Sequence, residues 1–263
     1  MDPFEPSKLL IAGDVHGNER WFGSLCKLAR RHGCDAILQL GDFGYWPHTT
    51  AGRRFLEHVE WHAERNGVDC VYWIDGNHEH HDLLAELESG PDGMVAIGER
   101  CRYLPRGLRW QWRDVRFGGL GGAFSVDRRE RVQGESWWPA EVTTDADVER
   151  LGDGPLDVLV THDAPEGTPL RGLSLPPVDQ VLADEVRARI RSAVESTEPR
   201  LLLHGHWHHR YSHELTWPRT VDGELAWRRT QVEGLAADVQ RSRRSWAVLE
   251  LEPLRFVDAD ELQ

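Results

Sequence analysis

Lysine is nearly missing from this chain of 263 residues: Lys8 and Lys27 stand alone, and arginine supplies the remaining positive charge. Even so, acid dominates, with a formal net charge of −13. An extended nucleic-acid partner needs a basic stripe, so this balance argues against one. Cysteine is sparse as well. Cys26, Cys34, Cys70 and Cys101 form no CxxC pair, which leaves them as free thiols of a reducing compartment. No run approaches the roughly 20 apolar residues of a membrane-spanning helix. The opening Met1-Asp2-Pro3-Phe4-Glu5-Pro6 has neither the basic nor the apolar region of a secretory signal. A cytoplasmic protein with no membrane partner is expected.

What is present is ordinary for a globular protein: 40% hydrophobic and 29% charged residues. The length suits one α/β domain spanning residues 1–263. Lys8 to Ala12 reads as a buried strand. A helix follows, capped by Asn18 and stopped at Gly33, with Trp21, Phe22, Leu25, Leu28 and Ala29 on one face. Ala36 to Leu40 is the next strand, so the opening is a β-α-β unit with parallel strands. Thr50 to Asn66 reads as a helix, Cys70 to Ile74 as a strand and Asp82 to Glu88 as a short helix. Period-two alternation through Leu108, Trp110 and Trp112, answered by Val115 to Leu120, predicts a hairpin. Phe124 to Asp153 is a long polar stretch, and such excursions are often functional. Further strands are expected at Leu156 to Val160, Arg200 to Leu203, Glu224 to Trp227 and Trp246 to Leu251. A helix is expected from Pro176-Pro177 to Val194.

Five short clusters at the ends of apolar runs carry the residues that can bind metal. They are Asp14 and His16 in Gly13-Asp14-Val15-His16-Gly17, Asp42 after Gly41, Asn77 in Gly76-Asn77-His78-Glu79, His162 after Thr161, and His206 and His208 in Gly205-His206-Trp207-His208. In open α/β sheets ligands bind beyond the carboxyl ends of the strands, so residues far apart in sequence converge on one rim. The set suffices for two adjacent divalent ions sharing a bridging carboxylate, which implies hydrolysis by a metal-activated water.

This order of motifs, D-x-H, G-D, G-N-H-E, a later His and G-H-x-H, resembles the calcineurin-like metallophosphoesterases, and the likeness runs from Leu9 to His208. It implies a four-layer α/β/β/α sandwich of two mixed sheets flanked by helices. It implies Asp14, His16 and His208 on one metal, Asn77, His162 and His206 on the other, and Asp42 bridging. It also implies two divalent ions, Mn favoured among Mn, Fe, Zn, Co and Ni, for which mixed O and N donors are suited. His78, beside Asn77, becomes a proton donor to the leaving group or a phosphate clamp. The protein phosphatases of the family extend the second motif to GDxxDRG, whereas here it reads Gly41-Asp42-Phe43-Gly44-Tyr45-Trp46. That demotes a protein phosphatase. The run Gly119-Leu120-Gly121-Gly122-Ala123-Phe124-Ser125-Val126-Asp127, followed by Ser136-Trp137-Trp138, resembles the compact bacterial and phage members of the family, and this resemblance implies a phosphodiesterase on nucleotides or cyclic nucleotides. A broad phosphomonoesterase or a nuclease is the alternative, and an inactive binding scaffold comes last.

Other residues leave choices open. Trp137 and Trp138 either stack on a substrate base or anchor a loop; Tyr45 and Trp46 pose the same choice. Arg128, Arg129 and Arg131 either hold phosphate or form a solvated loop. His80 and His81 could reach the cleft. His204 reads as buried structure, and His32, His48, His58, His62, His209 and His213 as surface or satisfied core residues. The expected partner is a small phosphoester or nucleotide; the oligomeric state is left open.

Overall fold

The computed structural model describes residues 4–170, 175–221, 223–238 and 243–262. The chain forms β1 (Lys8–Ala12), α1 (Glu19–Arg31), β2 (Ala36–Gln39), α2 (Thr50–Asn66), β3 (Cys70–Trp73) and α3 (His81–Ala85). It continues with β4 (Val95–Ala96), β5 (Cys101–Tyr103), β6 (Arg109–Trp112), β7 (Val115–Leu120), α4 (Asp145–Leu151), β8 (Val158–Thr161) and α5 (Pro177–Thr197). The last strands are β9 (Leu201–His204), β10 (Tyr211–Val221), β11 (Glu224–Gly234), β12 (Trp246–Leu251) and β13 (Leu254–Asp258).

Two mixed sheets result, ordered β13-β12-β1-β2-β3-β5-β4 and β10-β11-β9-β8-β7-β6. In the first, β1, β2, β3 and β5 run parallel. In the second, β11, β9, β8 and β7 do. Apolar side chains on both faces of these central strands demand cover on both sides. Leu9, Ile11, Leu38 and Ile74 of the first sheet pack between the sheets against Trp110, Phe117, Val160 and Leu203 of the second. On the first sheet's outer face, Leu10, Ile37 and Trp73 meet Phe22 and Leu25 of α1 and Phe55 and Val59 of α2. On the second sheet's outer face, Leu159 and Leu202 meet Val186, Ile190 and Val194 of α5. The architecture is the expected α/β/β/α sandwich.

Local signals explain most elements. The Asn18 side chain accepts from Trp21 N and caps α1, a contact typically contributing about 1 kcal/mol. Three expectations need correction. The short helix is His81–Ala85 rather than Asp82 to Glu88. The polar stretch from Phe124 to Asp153 contains α4, which starts with a capping box formed by Thr144 and Asp147. The C-terminal part holds a hairpin of two 11-residue strands, β10 against β11, where only Glu224 to Trp227 was expected. In β10 the apolar alternation reduces to Leu215 and Trp217. Its Pro218 suits a strand at the sheet edge, so the period-two signal is faint.

Candidate metal centre and active site

Strands β1, β2 and β3 of one sheet and β8 and β9 of the other deliver the five clusters from their carboxyl ends. Among the described residues, two groups of possible metal donors emerge there. Asp14, His16, Asp42 and His208 form one; Asp42, His162 and His206 form the other, the atoms of each group lying within 4.8 Å of one another. Asp42 belongs to both. Its Oδ2 lies 3.4 Å from Nε2 of His16 and its Oδ1 lies 3.4 Å from Nε2 of His162. Oδ2 of Asp14 is 2.9 Å from Nε2 of His208. Asn77 joins the second group, with Oδ1 3.2 Å from Nε2 of His162. All seven motif residues are thus brought together.

The backbone is shaped around this cluster. Six non-glycine residues among those described have positive φ, and four of them are His16, Asp42, His206 and His208. Such conformations cost of order 1–3 kcal/mol each and persist where the surroundings impose them, commonly at functional sites. Two glycines are required by close approach. A Cβ on Gly76 would stand 2.2 Å from Oδ1 of Asp42, and one on Gly205 would stand 2.2 Å from Oδ1 of Asp14.

Electrostatics favour a cation here. Asp14 and Asp42 are buried. Burial opposes the charge of Asp42, yet His162 and His78 hold its carboxyl well below the usual range. Burial likewise opposes the charge of His16, but Asp238 and Asp42 push it up to about 11. His162 is pushed up to about 10, because Asp42 and Asp14 outweigh its burial. His206 goes the other way, down to about 3, through burial and the neighbouring His162. Two buried carboxylates thus draw positive charge, which divalent cations would supply while displacing protons. Two carboxylates, one amide oxygen and four imidazoles suit transition-metal ions, so the residues fit a dinuclear centre.

Supporting partners orient the donors. Nδ1 of His16 pairs with Oδ1 of Asp238 at 3.0 Å, and Asn18 donates to the other oxygen of Asp238 at 2.7 Å. Nδ1 of His162 donates to the carbonyl of Leu40 at 2.7 Å, leaving Nε2 to face the cluster. The amide nitrogen of Asn77 donates to Ser125 Oγ at 2.9 Å, which turns its oxygen inward. Buried Glu79 accepts from the backbone N–H groups of Gly44 and Gly76 and fixes both turns. Sequence reasoning missed Asp238. Its signal was the run Leu235-Ala236-Ala237 ending in an acid after a strand, the grammar of the other clusters. We expect Asp238→Ala to weaken metal binding by about 10–100-fold while the fold persists. Metal titration of the variant checks this; wild-type affinity would overturn it.

The remaining candidates separate. The backbone N–H of His78 donates to Oδ1 of Asp42 at 2.8 Å, and its ring centroid lies 5.4 Å from that of His16. His78 therefore stands in the cluster's mouth. Arg131 donates to Nε2 of His78. Arg128 and Arg129 turn away to Asp179 on α5, at 2.7 and 2.9 Å. Trp138 is a buried anchor: its indole donates to Asp82 at 2.9 Å, and its ring lies against His80. Tyr45 is buried against Trp73, and Trp46 packs near Trp138. His80 caps α3, and His81 is buried beside Asp75, so neither lines the mouth. His204 is buried between the Gly205 carbonyl and the Tyr211 hydroxyl, as expected. All four cysteines are buried and free. The late run Arg241-Ser242-Arg243-Arg244 reads from sequence as surface; Arg243 and Arg244 are exposed, and residues 241 and 242 lie outside the described residues.

A layered sandwich whose two sheets point their parallel strands at a shared-carboxylate cluster defines a dinuclear metallohydrolase. The chain belongs to the calcineurin-like phosphoesterase family, whose profile matches residues 7–210. It is accordingly a metal-dependent phosphoester hydrolase. Similar solved structures include protein TT1561 of Thermus thermophilus, at 14% identity and a TM-score of 0.52, covering 97% of this chain and 99% of that one. They also include a dimetal phosphatase from Danio rerio, at 12% identity and a TM-score of 0.53, covering 97% of each chain. Among curated proteins no sequence matches it. No helix among the described residues is long and apolar enough to cross a membrane.

Proposed function

We infer that this protein is a phosphodiesterase acting on nucleotides or cyclic nucleotides. The observation that carries the chemistry is Asp42, whose two oxygens face two separate donor groups. In this reading Asp14, His16 and His208 hold one ion, Asn77, His162 and His206 the other, and Asp42 both. Two divalent ions there, Mn favoured over Fe, Zn, Co and Ni, would supply an activated water and neutralise phosphoryl oxygens. Asp238 and Ser125 keep His16 and Asn77 in register, as preorganisation requires. His78, free of the donor groups, gives a proton to the leaving oxygen.

Support for a diester comes from a cavity of about 320 Å³ lined by Phe124, Trp137, Val142 and Leu182 together with the charged Arg128, Glu141, Glu185 and Arg189. Glu141 accepts from the backbone N–H of Ser125, whose hydroxyl holds Asn77. A recess of mixed aromatic, apolar and charged lining so linked to the cluster suits the second substituent of a diester, such as a nucleoside, whose base stacks and whose hydroxyls need polar partners. The net charge of −13 favours a small substrate over extended nucleic acid. Free buried thiols suit the reducing cytoplasm.

The test compares kcat/KM on bis-p-nitrophenyl phosphate and p-nitrophenyl phosphate with Mn²⁺, chelator and added-back metal. We expect the diester to be favoured, with activity abolished by chelation and restored by metal. Preference for the monoester would replace this reading by a phosphomonoesterase. Steeply salt-dependent cleavage of DNA or RNA would point to a nuclease. Absence of turnover with every one of the five metals would leave a binding scaffold.

A further inference from the structure

Of the three arginines in the loop between Phe124 and Trp138, Arg131 alone turns inward, with only 7% of its side chain exposed. Its Nε and Nη2 grip Asp127 at 3.0 and 2.8 Å. Its Nη1 meets the carbonyls of Asn77 and Ser136 at 3.4 and 3.3 Å. Nη2 also donates to Nε2 of His78. A guanidinium has no lone pair, so in this contact the imidazole can only accept. That same Nε2 lies 4.0 Å from Oδ2 of Asp42, at the middle of the cluster.

This is a poor use of a cation. A desolvated guanidinium gains more from an anion than from a neutral ring, and its planar fork matches phosphoryl oxygens. Its carboxylate ion-pair partner, Asp127, is 42% exposed and lies on the same loop. The loop is held on either side of Arg131: Arg128 and Arg129 grip Asp179, and Trp138 is fixed to Asp82. Arg131 is therefore fixed at the mouth before substrate arrives.

We propose that Arg131 is a substrate contact: its Nη2 exchanges His78 for a non-bridging phosphoryl oxygen, and this exchange releases the Nε2 lone pair of His78 to take a proton from water in the cleft, the proton it then gives to the leaving oxygen. The Asp127 grip and the two carbonyls stay in place and aim the guanidinium. The proposal rests on the phosphoester reading of the metal cluster. Of the three arginines offered by the sequence, it assigns the anion to one and gives the other two to loop anchoring.

The test measures binding of inorganic phosphate to the Mn²⁺-loaded protein by calorimetry, with metal content followed alongside. Arg131→Gln and Arg131→Met should raise the phosphate Kd by about 10–100-fold, the range of a lost charge-assisted hydrogen bond, with metal content unchanged. Arg129→Gln, which loosens only the loop anchor, should change it less than about twofold. Unchanged phosphate affinity in either folded Arg131 variant would overturn the proposal. So would an equal loss in Arg129→Gln, a parallel loss of metal, or no phosphate binding by the wild type. Failure of the wild type to hydrolyse any phosphoester would instead sink the catalytic reading, and the phosphate comparison would still judge Arg131.

Discussion

Asp42→Asn should lower turnover by a factor on the order of 10³ or more and reduce bound metal to less than one ion per chain. A removed charge at a preorganised site costs several kcal/mol in the transition state, and each 1.36 kcal/mol is about tenfold in rate. The variant keeps the volume of the side chain and an oxygen to accept from His78 N–H, so the turn at Gly41 need not change. What it loses is the negative charge shared by both donor groups. His16 and His162 each lose the anion 3.4 Å from Nε2. Burying an amide is less costly than burying a carboxylate, so the fold should survive. Elemental analysis and turnover on the same preparation check the result. A variant that keeps two ions and full turnover would show that Asp42 does not bridge.

The site was legible because each motif couples a donor to the end of a buried strand. Apolar runs such as Leu9-Leu10-Ile11-Ala12 and Val158-Leu159-Val160 announce strands, and a glycine beside the donor announces a tight approach. The outcome at Gly76 and Gly205 is physical: the ligand oxygens lie where a Cβ would stand. Asp238 escaped because its strand, β11, begins with the exposed Leu225 and Trp227. Only the part near Val232 is buried, so the strand end that positions the acid was hidden. The arginines escaped for a different reason. Arg128, Arg129 and Arg131 are chemically identical in sequence; Asp179, some fifty residues later on α5, turns the first two outward, while Asp127 and the carbonyls of Asn77 and Ser136 hold the third inward. Tryptophan was ambiguous in the same way: Trp138 is held by Asp82, far back in the chain, whereas Trp137 borders the recess beside Glu141.

The architecture shows the same division. Central parallel strands declare themselves by apolar content alone. Edge elements such as β4, β10 and β13 depend on partners that sequence does not name. β10, for instance, pairs only with β11, from Tyr211↔Gly234 to Val221↔Glu224. The capping box of α4 was readable locally, but the polarity around it favoured an irregular reading.

His78→Ala should retain both ions and lower kcat by about 10²–10⁴-fold, the range of a lost general acid. The reasoning is geometric. His78 contributes its backbone N–H to Asp42, which any residue supplies, while its ring stays out of both donor groups. Burial, with Arg131 and His16 nearby, lowers its affinity for a proton, although Asp42 opposes them. The protonated ring is then a stronger acid toward an alkoxide leaving group, while a smaller fraction of the rings carries the proton. The loss should therefore grow as the leaving group worsens, being small for p-nitrophenyl esters and large for alkyl or nucleoside esters. A plot of kcat against leaving-group pKa should steepen in the variant. If the slope stays the same, His78 serves as a phosphate clamp and not as an acid. If metal content falls in step with activity, its role is to hold the Asn77 turn and the catalytic assignment is wrong.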